Sequence, residues 1–368
     1  MTEAATLVVL GGGPAQRHAI DAAHALGVRT LVCDSEPGVG DVPVSSEDVE
    51  GVRAAAAGAA GLIAPGTDWP VRVAAEVARD LGLAHPISPS VAAVATDKIA
   101  QRRALQAAGV AQPAWSTEAP PAYPCVVKAS DRQGQRAMSI LPDASLLAQA
   151  AARAAAESRS GRALFEEFVP GPEVTVNGFT AEGRAIVAAV TDRVHFEHAP
   201  GVARRHVYPS ESDPAAAAAA ATRAVEALGI GAGPWYVQII LGADGPRIVE
   251  VAARLGGGHD SELVKLTTGV DLARAAVRAA IGRPVRPDDV TPAPHGAGVI
   301  EFLEAPEGEL VRAAGPPEAS FYDAPGHVYG PIRIAIDRAG YVLAGGATRD
   351  DALARAAAAA AAVRFEVT

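Results

Sequence analysis

The stretch from Pro246 to Asp260, P-R-I-V-E-V-A-A-R-L-G-G-G-H-D, gathers residue types that can hold cations and anions side by side. Arg247 to Val251 is an apolar run interrupted by one carboxylate, Glu250, and the pattern breaks at Arg254 into the consecutive glycines Gly256, Gly257 and Gly258. A strand running into a loop is the expected form. A carboxylate inside an apolar strand is costly unless a cation meets it. An arginine beside a run of bare backbone N–H groups suits anionic oxygen. A metal ion facing a phosphate satisfies both demands; a structural Glu250–Arg254 pair before a flexible turn satisfies the first alone.

Lysine usage adds a second signal. Of 32 basic residues only Lys98, Lys128 and Lys265 are lysines, so the chain uses arginine by default. A retained lysine marks a place where a compact ammonium serves better than a planar fork. Lys98 falls in the first turn of a helix predicted from about Thr96 to Gly109, where a cation is disfavoured unless a negative ligand faces it. Lys128 ends the strand of P-C-V-V-K-A-S-D-R-Q-G-Q-R-A-M-S-I, a hairpin whose turn around Gly134 can lie over a polyphosphate. Further on, Leu164 to Val169 reads as a strand carrying Glu166 and Glu167, and Pro170-Gly171-Pro172 forces a turn before Glu173. The backbone of such a hinge can read an adenine edge and Glu173 can reach ribose hydroxyls.

Those residues need a frame. The 368 residues suffice for two or three domains. A hydrophobic fraction of 49% with only 4% aromatic residues describes an Ala- and Val-rich globular chain. The net charge of −10 disfavours long nucleic acids as partners. No apolar segment reaches the roughly 18 residues of a membrane span, and the start of the chain lacks a basic leader region, so a cytoplasmic protein is expected. Cys33 and Cys125 each lie in apolar runs and read as small core residues.

In chain order, Thr6 to Leu10, an Ala-rich helical segment from Ala19 and Thr30 to Cys33 form a β-α-β opening. The glycines Gly11 to Gly13 suggest a dinucleotide fingerprint, but Gln16 stands where that motif needs Gly or Ala. A strand from Gly61 to Ile63 and a helix from Val71 to Leu81 complete a small parallel α/β domain. Asp213-Pro214 caps a helix containing Ala215 to Ala221. In V-H-F-E-H, His195 and His198 form too small a set for a zinc site. The final part carries strand-like runs at Gly298 to Leu303 and Ile332 to Ile336 and a closing helix from near Thr348.

Asp97-Lys98, Lys128 with Gly134, Glu166-Glu167-Phe168-Val169-x-Gly171-x-Glu173, and Glu250 followed by Arg254 and glycines occur in an order that resembles the ATP-grasp superfamily. The branch most resembled holds the biotin carboxylase-like enzymes and the dipeptide-forming L-amino acid ligases, and the likeness covers essentially the whole chain. It implies an α/β and α+β fold: an N-terminal parallel α/β domain over residues 1–92, an ATP-grasp domain over 93–290 with its lid at about 122–175, and a C-terminal α+β domain over 291–368.

The resemblance also implies roles. Lys98 and Lys128 would contact the phosphates of ATP, with the Gly134 loop above them. Glu166, Glu167, Phe168 and Val169 would hold adenine, and Glu173 the ribose. Glu250 would bind Mg²⁺ together with Gln238, which stands where the family has a second carboxylate; the family's metal-binding Asn is Ala252 here. Arg254, Gly257 and Gly258 would stabilise the reacting oxyanion or clamp a carboxylate, alongside Lys128. His259, Asp260, His195, His198 and Arg205 would line the substrate pocket. The implied activity is coupling of a small carboxylate, an amino acid, to an amine through an acyl phosphate, in a cytoplasmic protein that is often a homodimer. A bicarbonate-activating enzyme of the same fold and an ATP-binding module without catalysis are the alternatives.

Overall fold

The computed structural model describes residues 5–368. The chain opens with β1 (Thr6–Leu10), α1 (Pro14–Ala25), β2 (Arg29–Cys33), α2 (Val49–Ala55), β3 (Gly61–Ile63) and α3 (Asp68–Leu81), whose three strands form a parallel sheet in the order β2-β1-β3. Strands buried on both faces need unbroken apolar runs, and Leu7, Val8, Val9 and Leu10 are all fully buried. Gln16 is buried as well, and its side chain packs over the tight turn at Gly11, whose φ is +93°.

Two helices follow, α4 (Pro89–Ala95) and α5 (Lys98–Ala107). α5 starts under Asp97, whose carboxylate accepts from the N–H groups of Ile99 and Ala100. The next segment is a separate antiparallel sheet in the order β4-β7-β5-β6, built from β4 (Trp115–Ser116), β5 (Cys125–Ala129), β6 (Ser139–Leu141) and β7 (Ala163–Glu167), with α6 (Leu147–Glu157) packed behind it. The hairpin expected around Gly134 is β5-β6.

The largest element comprises β8 (Glu173–Ala181), β9 (Arg184–Phe196), β10 (Ala199–Tyr208), β11 (Gly233–Gly242) and β12 (Gly245–Ala252), with helices α7 (Pro214–Ala227), α8 (Asp260–Thr268) and α9 (Leu272–Ala280). Beyond α9 come β13 (Ala297–Leu303), β14 (Gly308–Ala314), β15 (Ala319–Phe321), β16 (Val328–Tyr329), β17 (Gly340–Gly346), α10 (Arg349–Ala362) and β18 (Arg364–Val367). Three of these late strands join the central antiparallel sheet, whose order is β12-β11-β8-β9-β10-β13-β17-β15. The hydrogen-bonded sheet therefore runs across the 290/291 boundary, while β14, β16 and β18 form a small sheet of their own. The expected strand at Ile332 to Ile336 is not one: Asp337 accepts from the N–H groups of Arg333 and Ile334, both at 2.8 Å, and folds the segment into a turn. A side-chain cap of this kind outcompetes a strand ladder, and the real strand, β17, lies just beyond it.

A single core ties the first domain to the central sheet: Val8, Leu62, Ala74 and Val77 belong to the same buried cluster as Val174, Val237, Ile239, Ile248 and Trp235. On the other side α1 packs on α9. Gly61 has no room for a Cβ against the Ala280 carbonyl, so that contact requires glycine. The cleft between these units is consequently set by packing and not by a flexible linker.

Candidate active site

α5 and β12 build the floor of the cleft. Lys98, Gln101 and Arg102 share one face of α5, as i, i+3 and i+4 spacing dictates, and all three are buried. Gln101 clamps β12 by accepting from Val251 N–H at 3.0 Å and donating to Val251 O at 2.9 Å. Arg102 donates to the carbonyls of Ile248 at 3.1 Å and Val249 at 2.5 Å. Lys98 reaches Glu250 Oε1 at 2.7 Å and donates to Arg132 O at 2.6 Å. A polar stripe that looks solvent-facing in sequence thus holds the strand that carries Glu250.

From the lid sheet, Lys128 pairs with Glu166 Oε2 at 2.7 Å, and Arg102 holds Oε1 of the same carboxylate at 2.6 Å. All three side chains are buried. Burial opposes the charge on Glu166, but the two cations outweigh it and hold its carboxyl at about 2, far below the ordinary 4.5. Burial lowers Lys128, offset only in part by Glu166 and reinforced by Arg102 and Lys98. Burial also lowers Lys98, but Glu250 and Asp68 outweigh it and raise the ammonium overall. Glu250 is raised by burial, yet Lys98, Lys128 and Arg254 bring it below the usual carboxylate range. Carboxylates and lysines from three parts of the chain therefore meet in buried pairs, Lys98 with Glu250 and Lys128 with Glu166.

Arg254 lies just past β12 and is held from the first domain: its Nε and Nη2 both lie 2.6 Å from Asp68 Oδ1, and its Nη1 donates to Leu255 O at 2.7 Å. Asp68 N–H in turn donates to Gln133 of the lid loop at 2.5 Å. A cavity of about 510 Å³ opens here, with Asp68, Gly134, Arg193, His206, Gln238, Glu250, Arg254 and Arg338 among its lining. Gln238 and Glu250 face each other in register across β11 and β12. The Gln238 amide nitrogen donates to Glu173, which leaves Oε1 as its available oxygen. One carboxylate and one amide oxygen are hard donors that suit a single Mg²⁺ completed by water and phosphate, so the residues present fit that ion; Ala252 adds no donor.

Several expected site residues sit elsewhere. Glu173 turns into a buried knot with Arg193, His195 at 2.9 Å and Gln238, so its carboxylate is already engaged and stands beside Gln238. Both oxygens of Glu166 are taken by cations, and just past it the N–H groups of Glu167 and Phe168 donate to Ala114 O at 2.9 Å and Pro124 O at 3.0 Å. His198 is exposed and meets Glu304 at 3.1 Å. Arg205 pairs with Glu301, and neither His198 nor Arg205 lines the cavity. The reason is a register shift within β10 between Ala203 and Arg205, after which His206, not Arg205, faces inward. His259 lines the cavity, but both ring nitrogens are occupied, by Glu262 at 2.6 Å and Tyr322 Oη at 2.8 Å. Asp260 is fully buried and lies 3.0 Å from His206 Nδ1 without hydrogen-bond alignment, so neither His206 nitrogen has a hydrogen-bond partner. Burial works against the Asp260 charge, but His206, Asn177 and the Gly258 N–H hold the carboxyl at about 2. Gly257 and Gly258 line the cavity, and a Cβ on Gly258 would lie 2.9 Å from the His206 ring.

Arg102, Asp68, Arg193, His206 and Arg338 were not evident from the sequence. Asp68 carried one usable sign, its place at the start of α3 in the connection that follows the parallel strand β3, where such sheets put functional residues.

Residues 122–262 match the family model described as ATP-grasp domain, and residues 297–368 match L-amino acid ligase C-terminal domain 2. Carnosine synthase 1 of Gallus gallus is 33% identical over 154 residues, 40% of this chain and 16% of that protein, so the chain spans a small part of that relative. The L-amino acid ligase of Bacillus licheniformis superposes over 100% of both chains with a TM-score of 0.84 at 18% identity. The biotin carboxylase domain of the Hydrogenobacter thermophilus 2-oxoglutarate carboxylase, solved with MgADP and bicarbonate, covers 98% of this chain and 90% of its own with a TM-score of 0.80 at 16% identity. The chain thus has the fold of these ATP-grasp enzymes, with an ATP-grasp match over residues 122–262 and an L-amino acid ligase C-terminal match over residues 297–368.

Proposed function

We propose that the protein is an ADP-forming ligase that joins a small carboxylate, an amino acid, to an amine at the expense of ATP. The observation that carries this reading is a cavity lined by Glu250 and Arg254, with Lys98 paired to that Glu250, Lys128 paired to Glu166, and Arg254 oriented by Asp68 from the first domain. The substrate carboxylate attacks the γ-phosphorus of ATP, ADP departs, and the acyl phosphate is attacked at carbon by the amine, which loses a proton as phosphate leaves. Lys98 and Lys128 exchange their carboxylate partners for phosphate oxygens and offset the charge that builds there. Arg254 stabilises the oxyanion at the acyl carbon. His206, with an unpartnered ring nitrogen on the cavity wall and Asp260 behind it, is placed to accept the ammonium proton. Glu250 and Gln238 would hold Mg²⁺, which supplies charge neutralisation at the phosphates.

The match of residues 297–368 favours the amino acid ligase branch over bicarbonate activation. Carboxylate oxygen-18 transfer tests the reading. With labelled amino acid and unlabelled ATP, the released phosphate should carry one labelled oxygen per turnover. Unlabelled phosphate alongside product would exclude the acyl phosphate route.

A further inference from the structure

Among the described residues, the lysines and arginines that are at least nine-tenths buried are Lys98, Arg102, Lys128, Arg254 and Arg338. Four of them lie within ion-pair distance of a carboxylate: Lys98 with Glu250, Arg102 and Lys128 with Glu166, and Arg254 with Asp68. Arg338 is 8% exposed and has no such partner among the described residues. Its Nε donates to Ala335 O at 2.7 Å and its Nη1 to Ala203 O at 3.4 Å, both uncharged acceptors. Its guanidinium lies 3.7 Å from the Phe302 ring centroid, and His206 meets the same ring edge-on at 5.5 Å. Both Arg338 and His206 line the cavity. A buried cation without a counter-ion is expensive. Burial pushes the Arg338 guanidinium below its ordinary value, whereas Arg254 and Arg193, each beside a carboxylate, are raised. Arg136 also lines the cavity without a carboxylate partner but is exposed to solvent, so Arg338 is the buried cavity cation that still has an anion to accept.

We infer that Arg338 is the anchor for a second, non-reacting carboxylate, the one carried by the amine substrate, and so selects amines that are themselves amino acids or peptides over amines that lack an acid group. The inference rests on the ligase reading. The position fits: Lys98, Lys128 and Glu250 occupy the phosphate side, Arg254 the reacting carboxylate, and Arg338 stands beside His206, where the amine has to deliver its proton. A guanidinium fixed by Phe302 and a carbonyl offers a preset fork to a planar carboxylate. An amide in place of the acid would leave that cation buried and unpaired.

The test compares ADP release with a panel of amino acids as amine substrates, each beside its carboxamide, in the unmodified protein and in Arg338→Met and Arg338→Lys. The unmodified protein should prefer each accepted acid over its carboxamide in kcat/KM by about tenfold to a hundredfold, the range of one charge-assisted pair. Arg338→Met should erase that preference, and Arg338→Lys should restore part of it. Equal use of acid and carboxamide by the unmodified protein overturns the inference even if Arg338→Met fails to fold. A preference that survives Arg338→Met while the KM for ATP rises overturns it too, since Arg338 would then serve phosphate. Absence of ADP release with every pair overturns the ligase reading itself, and the anchor with it.

Discussion

Glu166→Gln removes the one anion that holds two buried cations, and its cost can be worked from the geometry. Glu166 is 2% exposed and bound by Arg102 at 2.6 Å and Lys128 at 2.7 Å. Its folded-state carboxyl lies at about 2 against an ordinary 4.5, which corresponds to about 3 kcal/mol of stability at neutral pH. Loss of one partner from a buried ion pair costs about 3–5 kcal/mol in other proteins, so the two routes agree. Because the folded value lies below the unfolded one, the contribution is complete above the ordinary carboxylate range and is lost as pH falls through 4.5 toward 2. Denaturant unfolding followed by tryptophan fluorescence should therefore show Glu166→Gln less stable by about 3 kcal/mol at pH 7, with a smaller difference at pH 3.5. A difference under about 1 kcal/mol at pH 7, or one that widens in acid, would refute the view that this carboxylate is ionised and compensated by both cations.

Lys128→Ala and Glu250→Ala should each abolish ADP release while circular dichroism stays native-like; near-normal turnover in both would displace the site. Gln238→Glu adds a charged oxygen opposite Glu250 and should lower the Mg²⁺ concentration for half-maximal ADP release by about tenfold; an unchanged requirement would place Gln238 outside the coordination shell. Asp68→Asn keeps an acceptor for Arg254 but removes its charge, which should lower kcat by about 5- to 30-fold with little change in the KM for ATP, since charge-assisted hydrogen bonds exceed neutral ones by about 1–2 kcal/mol. A rise in kcat would mean that Asp68 competes with substrate for Arg254.

The parts legible in the sequence were those encoded by local pattern. Apolar runs gave the first parallel sheet, and the Glu250 strand with its glycine loop stood out by composition alone. Scarcity of lysine singled out Lys98 and Lys128, and both form buried ion pairs, with Glu250 and Glu166 at 2.7 Å each. The parts that were not legible depend on contacts distant in sequence. Nothing near Arg102 announces that it will hold Glu166 and two carbonyls of β12. The register shift in β10 puts His206, not Arg205, on the cavity wall, and a bulge of that kind leaves no mark in the sequence pattern. Glu173 followed a hinge as expected, but Arg193 and Gln238 on neighbouring strands claimed its carboxylate. Likewise no local pattern shows that β13, β17 and β15 of the closing segment extend the central sheet.

The central claim is that this cleft couples a carboxylate to an amine with ATP. The most direct measurement is ADP and phosphate release from Mg-ATP against amino acid pairs, single amino acids and bicarbonate, with mass spectrometry of the products. The account predicts ADP and phosphate in equal amounts with a condensation product formed from one amino acid pair. ADP release that needs bicarbonate alone, or well-folded protein that binds ATP and releases no ADP with any member of the panel, would contradict it.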